Sequence, residues 1–76
     1  MEWMPVHDAV LEFLADYDEL VFTPNNIAEN TGYSASYLSD RVRELADAGF
    51  VRRTNRSGDP FYTITDKGRE RIAEDD

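Results

Sequence analysis

The chain has 76 residues, 41% of them apolar, with 16 acidic against 8 basic side chains for a net charge of −8. That length allows one small core, and it leaves little room for an internal catalytic cleft. With no cysteine, one histidine, no Gly-rich phosphate loop and no clustered carboxylates, the composition argues against a disulfide framework, a zinc finger, an enzyme, a cofactor or a small-molecule ligand.

Met1 to Met4 form a short lead-in, and Pro5 is placed to open a helix running to about Glu19. Its apolar stripe is Val6, Val10, Phe13, Leu14 and Tyr17, widened sideways by Trp3, His7 and Leu11. The extra width either covers a neighbouring helix or makes a dimer contact, for which Trp3, His7 and Leu11 are the candidates. His7 itself reads as a partly exposed helix residue, since no second metal ligand or nucleophile accompanies it. Leu20, Val21 and Phe22 follow as a short apolar run, either a minor strand or a loop plugging the core.

From Thr23 the pattern changes. Thr23 can cap a helix whose first position is Pro24, with Ile27 and the small Ala28 facing inward. Gly32 sits where the chain must turn with positive φ. Ser34 caps a second helix, Ala35 to Ala48, with Leu38, Val42 and Leu45 inward at i, i+4, i+7, and Gly49 ends it. Residues 23–48 therefore have the spacing of a helix-turn-helix, whose second helix would enter a DNA major groove. Asn25, Asn26 and Asn30 decorate the first of these helices, within reach of phosphate near its start.

On the second helix, ~100° per residue places Ser36, Ser39, Asp40, Arg43 and Asp47 opposite the apolar stripe, with Tyr37 and Glu44 on one flank and Arg41 near the core edge. Ser36, Tyr37, Ser39, Asp40 and Arg43 are the candidate base readers. Arg43 can pair with guanine or a phosphate, and Tyr37 can meet a sugar or a thymine methyl. A carboxylate facing DNA is repelled unless it accepts from a cytosine amine or holds a cation. Asp40 is therefore expected either to do the former or to pair with Arg43 at i,i+3.

Phe50 to Asn55 and Phe61 to Thr65 are β-prone runs joined by Arg56, Ser57, Gly58, Asp59 and Pro60, so residues 50–65 read as a hairpin. Alternation turns Val51, Tyr62 and Ile64 inward, with Arg52 and Thr54 outward. Thr65 or Asp66 caps a last helix, 66–74, and Ile72 and Ala73 return to the core. Its cations Lys67, Arg69 and Arg71 can contact phosphate or pair with nearby acids. Glu74, Asp75 and Asp76 form an acidic end expected to fray.

The charge is unevenly placed. Residues 1–40 hold eight acids and no Lys or Arg, whereas residues 41–71 hold all eight basic residues against five acids. One face thus suits a phosphate backbone, with Ser34, Arg41, Arg52, Arg53 and Arg56 as candidate backbone contacts, while the remainder repels DNA. A surface rich in carboxylates with a single lysine suits a cytoplasm of molar salt, where the Debye length falls to ~3 Å. No segment approaches the ~20 apolar residues of a membrane span, and no signal-peptide pattern opens the chain, so a soluble cytoplasmic protein without membrane contact is expected.

The segments IAENTGYSASYLSDRVRELADAGFV and FYTITDKG resemble the winged helix-turn-helix family of prokaryotic transcriptional regulators. The R-x-L-x-x-A-G-[apolar]-V helix end and the Y-x-[apolar]-T-x-x-G exit are similar to small MarR-like and halophilic archaeal or archaeal-virus repressor-like members. The resemblance implies a mainly α fold with a small β-hairpin (α+β), in the order α-(β)-α-α-β-β-α, as a single domain over 1–76. It also implies a homodimeric, sequence-specific double-stranded DNA-binding regulator, a repressor, with the second motif helix in the major groove and the wing on the backbone or minor groove. The alternative from another class is a winged-helix protein-interaction module that presents Trp3, Leu11 and the acidic first helix to a partner.

Overall fold

Four helices and one hairpin follow the expected order, and most boundaries fall on residues whose local chemistry starts or stops an element. The structure, a computed structural model, describes residues 1–73; the expected helix end at 74 and the acidic Glu74, Asp75 and Asp76 lie outside the described residues. Helix α1 spans Pro5–Asp16, α2 Pro24–Thr31, α3 Ala35–Asp47 and α4 Asp66–Ala73, with strands β1 Val51–Arg56 and β2 Asp59–Ile64 between α3 and α4.

The helix-turn-helix is built from the caps anticipated for it. The Thr23 hydroxyl accepts from the Asn26 N–H at 3.2 Å, and the Asn26 side-chain oxygen accepts from the Thr23 N–H at 3.5 Å. This reciprocal arrangement satisfies two of the donors that a helix start leaves unpaired. Gly32 turns with φ +85°, its N–H bonded to the Ala28 carbonyl at 2.9 Å. The Ser34 hydroxyl then accepts from the Tyr37 N–H at 3.3 Å to start α3. Leu38, Val42 and Leu45 are wholly buried, as their spacing requires.

Helix α1 departs from expectation in two ways. It ends at Asp16, three residues early, and Tyr17 to Glu19 form a turn. Its stripe is also wider because α1 is enclosed by α2, α3, α4 and β2. Leu11 and His7 are consequently fully buried within the single chain. The expectation of a partly exposed His7 is therefore corrected, and neither residue offers surface for a dimer contact. His7 helps to start α1 instead. Met4 at the N-cap makes no side-chain hydrogen bond, so the His7 Nδ1 accepts the Met4 N–H at 2.9 Å.

The hairpin is tighter than its five-residue connection suggested. Pairing runs from Val51↔Ile64 to Arg56↔Asp59, leaving only Ser57 and Gly58 to turn. Both have positive φ, 52° and 83°, which marks a two-residue turn of the I′ type whose twist matches the strands. Pro60 thereby falls inside β2, acceptable in a two-stranded ribbon where each strand is an edge. Val51, Tyr62 and Ile64 are buried, and Arg52 and Thr54 point outward, as alternation predicts. Phe22 pairs with Tyr62 through two backbone hydrogen bonds of 3.1 and 2.8 Å, a single-residue bridge to β2 in place of the minor strand expected over Leu20–Phe22.

Helix α4 is pinned at its start. The Thr65 hydroxyl donates to the Gly49 carbonyl at 2.7 Å and accepts from the Gly68 N–H at 3.1 Å, identifying Thr65 as the cap. One buried cluster results: Val6, Val10, Leu11 and Leu14 of α1, Ile27 and Ala28 of α2, the α3 stripe, and Val51, Tyr62 and Ile64 of the hairpin. Ile72 packs against its edge.

Candidate nucleic-acid interface

The exposed face of α3 and the wing converge. The start of α2 (Thr23, Pro24, Asn25), the first turns of α3 (Ala35, Ser39) and the β2 end of the wing (Asp59, Pro60) line one open groove of ≈ 290 Å³. Ala35, Asp59 and Pro60 were not anticipated there. Nothing in the linear order brings Asp59 and Pro60 to one wall with Ser39, 20 or more positions away; the hairpin docking against α1 and α2 does.

Among the candidate readers, Ser36, Asp40 and Arg43 are exposed on the outward face, and Ser39 is half-buried in the groove wall. Arg43 and Asp40 approach to 3.9 Å with both side chains more than half exposed, a loose i,i+3 pair that solvent weakens to a few tenths of a kcal/mol. Tyr37 stands apart. Its ring centroid lies 5.2 Å from the Arg41 guanidinium carbon and 6.0 Å from Tyr33, and its hydroxyl contacts the Met4 sulfur at 3.9 Å. These contacts hold it on the flank nearest the start of α1, off the Ser36–Asp40–Arg43 face.

The candidate backbone contacts also separate. The Ser34 oxygen is engaged as a cap, but its own O–H remains a donor. Arg41 is turned inward, with Nε 2.9 Å from Glu44 Oε1. That contact is an ion pair rather than a hydrogen bond, because the buried Nε has no hydrogen-bond partner and its N–H is not aimed at the oxygen. Arg52, Arg53 and Arg56 are exposed along the wing. Arg53 Nε donates to the Asn55 side chain at 3.2 Å, Arg56 lies 6.0 Å from the Phe61 ring centroid, and Arg52 has no ion pair among the described residues. Strand alternation puts Arg52 and Arg56 on one face of the ribbon and Arg53 on the other.

The cations of α4 serve the fold. Lys67 donates to the Ala48 carbonyl at the end of α3 and sits 4.7 Å from the Phe50 ring centroid. This places a positive charge at a helix C-terminus, where the dipole favours it. Arg69 bridges Asp18 at 2.9 Å and Asp66 at 3.3 Å. Arg71 stacks on Trp3 at 4.3 Å, and Trp3 in turn donates to Asp8 at 3.0 Å and meets Phe50 edge-on. Arg43 of α3 and Arg52, Arg53 and Arg56 of the wing are thus the exposed cations on the two elements that form the groove.

The family described as "Winged helix-turn-helix phage repressor" matches residues 1–75. The chain belongs to the winged helix-turn-helix phage repressor family. Within reach of this winged-helix repressor family, the "Repressor protein" of Halobacterium phage phiH is 40% identical over 74 residues, covering 96% of this chain and 83% of that protein. The fold is shared more widely. MepR, a transcription regulator of the Staphylococcus aureus multidrug efflux pump MepA, superposes with a TM-score of 0.85 at 16% identity over 96% of this chain and 55% of its own. A MarR family protein from Bacillus stearothermophilus superposes with a TM-score of 0.80 at 20% identity over 97% of this chain and 51% of its own. The chain spans about half the length of these MarR-type structures, which share its winged-helix frame.

Proposed function

We propose that this protein is a sequence-specific double-stranded DNA-binding transcriptional repressor. The N-terminal half of α3 lies in the major groove, and the wing follows the backbone or the adjacent minor groove. The observation that carries this reading is the convergence of α2, α3 and the wing around one groove, with Arg43 exposed on α3 and Arg52, Arg53 and Arg56 exposed on the wing, while the α4 cations are bound to partners within the fold. Ser36, Ser39 and Arg43 are proposed to read base edges, with Asp40 accepting from a cytosine amine or orienting Arg43. Ser34, the start of α2 and the wing arginines are proposed to hold phosphates. Neither a catalytic step nor a cofactor enters this reading.

The family relative belongs to a Halobacterium phage, and the acid-rich, lysine-poor surface of this chain suits the same molar-salt setting. A homodimer on a two-fold operator is part of the proposal, with Trp3 the one expected contact residue that is not fully buried.

The test is fluorescence anisotropy with random-sequence duplexes while KCl is raised from low to molar concentration. The three wing arginines on phosphate correspond to a log–log salt slope of about −3 per protomer. No binding at low salt by protein shown folded there would remove the DNA reading and favour an interaction module.

A further inference from the structure

The flank of α3 that turns toward α1 carries a charge arrangement that the DNA-facing surface does not require. Glu44 Oε1 lies 2.9 Å from Arg41 Nε and 3.1 Å from His7 Nε2. His7 is wholly buried, and its Nδ1 is occupied by the Met4 N–H. The acceptor role of Nδ1 leaves Nε2 as the protonated nitrogen, so Nε2–H donates to Glu44 and holds the carboxylate in place. Arg41 is flanked on its other side by the Tyr37 ring. Its side chain is 24% exposed, whereas Arg43 one residue beyond Val42 is 66% exposed.

Carboxylate and phosphate both offer a guanidinium anionic oxygens, and Glu44 meets Arg41 here as a close charge contact. We infer that Glu44 is an internal substitute for a DNA phosphate, anchored by His7, which holds Arg41 in reserve and lowers both the affinity and the salt sensitivity of DNA binding. The inference rests on the DNA-binding reading above. An arginine that stays paired within the protein neutralises no phosphate and displaces no counterion. Arg41 then belongs outside the set of backbone contacts as long as Glu44 is charged and in place.

The test is a cycle of E44Q, R41A and the double variant, read by anisotropy across a KCl series. Glutamine keeps an oxygen to accept from His7 Nε2–H and loses the charge that captures Arg41, and circular dichroism verifies the fold of each variant. E44Q is expected to steepen the log–log salt slope by ~1, a gain roughly eightfold larger at 0.1 M than at 1 M salt. R41A alone is expected to leave the slope unchanged, and in the double variant the gain should vanish. D47N removes an exposed carboxylate from the same helix without touching Arg41, so its effect should persist when R41A is added. An E44Q gain that survives R41A would overturn the inference, because it would be ordinary relief of repulsion. So would an R41A slope already flattened by ~1, since Arg41 would then be on phosphate in the native protein. Wild-type binding with either result removes this inference alone, whereas absence of wild-type binding at every salt removes the DNA reading as well.

Discussion

Gly68→Ala sets two opposing effects against each other, and the structure decides between them. Gly68 lies in the first turn of α4 without positive φ, so helix propensity alone favours alanine by about 1 kcal/mol. A Cβ at that position, however, would stand 2.3 Å from the Phe50 carbonyl oxygen and 2.7 Å from Ile64 Cγ1. Ordinary contact begins near 3.4 Å, so the backbone at Phe50 and the first turn of α4 must separate by about 1 Å. The same Phe50 carbonyl accepts the Thr65 N–H at 3.2 Å, the bond that joins the end of the hairpin to the start of β1. Overpacking of this kind costs about 1–3 kcal/mol and loss of the hydrogen bond about 1 more. The net expectation is a destabilisation of about 1–3 kcal/mol, which in a domain of this size lowers Tm by roughly 4–24 °C. Thermal unfolding followed by circular dichroism measures it. An unchanged or raised Tm would show that α4 is free to shift, and the argument from close approach would fail.

Three further outcomes follow from the same geometry. Arg43→Ala should cost ~1–3 kcal/mol of operator affinity and relax sequence preference, while Arg56→Ala should weaken all duplexes alike and flatten the salt slope by ~1; anisotropy on operator and random DNA separates the two patterns. Ser57→Asn should raise stability by a few tenths to about 1 kcal/mol in denaturant unfolding, because asparagine tolerates the φ of 52° found at this turn better than serine and Asn-Gly is the preferred I′ pair. A lower midpoint would argue against that turn geometry. His7→Ala should cost about 2–4 kcal/mol, since it opens a cavity in a wholly buried position, leaves the Met4 N–H without its acceptor and removes the histidine donor from Glu44. A cost near zero in chemical denaturation would mean that the site is wet rather than packed.

Features that depend on neighbours a few residues away were legible before the fold was known. Thr23, Ser34 and Thr65 cap because a hydroxyl next to a helix start meets the N–H two or three residues on. Gly32 turns because it alone lacks the Cβ that resists positive φ, and Leu38, Val42 and Leu45 share a face because of the helical period. The wing strands were legible for the same reason, although the two-residue turn was not, since Ser57 and Pro60 do not advertise the register that strand pairing imposes. Which surfaces cover one another emerges only from the packing of the elements. A stripe on α1 looks too wide until four other elements close around it, and that enclosure moves Leu11 and His7 from candidate interface to core. Formal charge is likewise silent on pairing: Lys67, Arg69 and Arg71 read as possible phosphate ligands, yet each is held by a residue far along the chain. Arg41 is held closer by, but the carboxylate that holds it is fixed by a histidine 37 positions away. Local periodicity records how each element folds; the availability of its side chains to DNA is set by contacts that no short window of sequence contains.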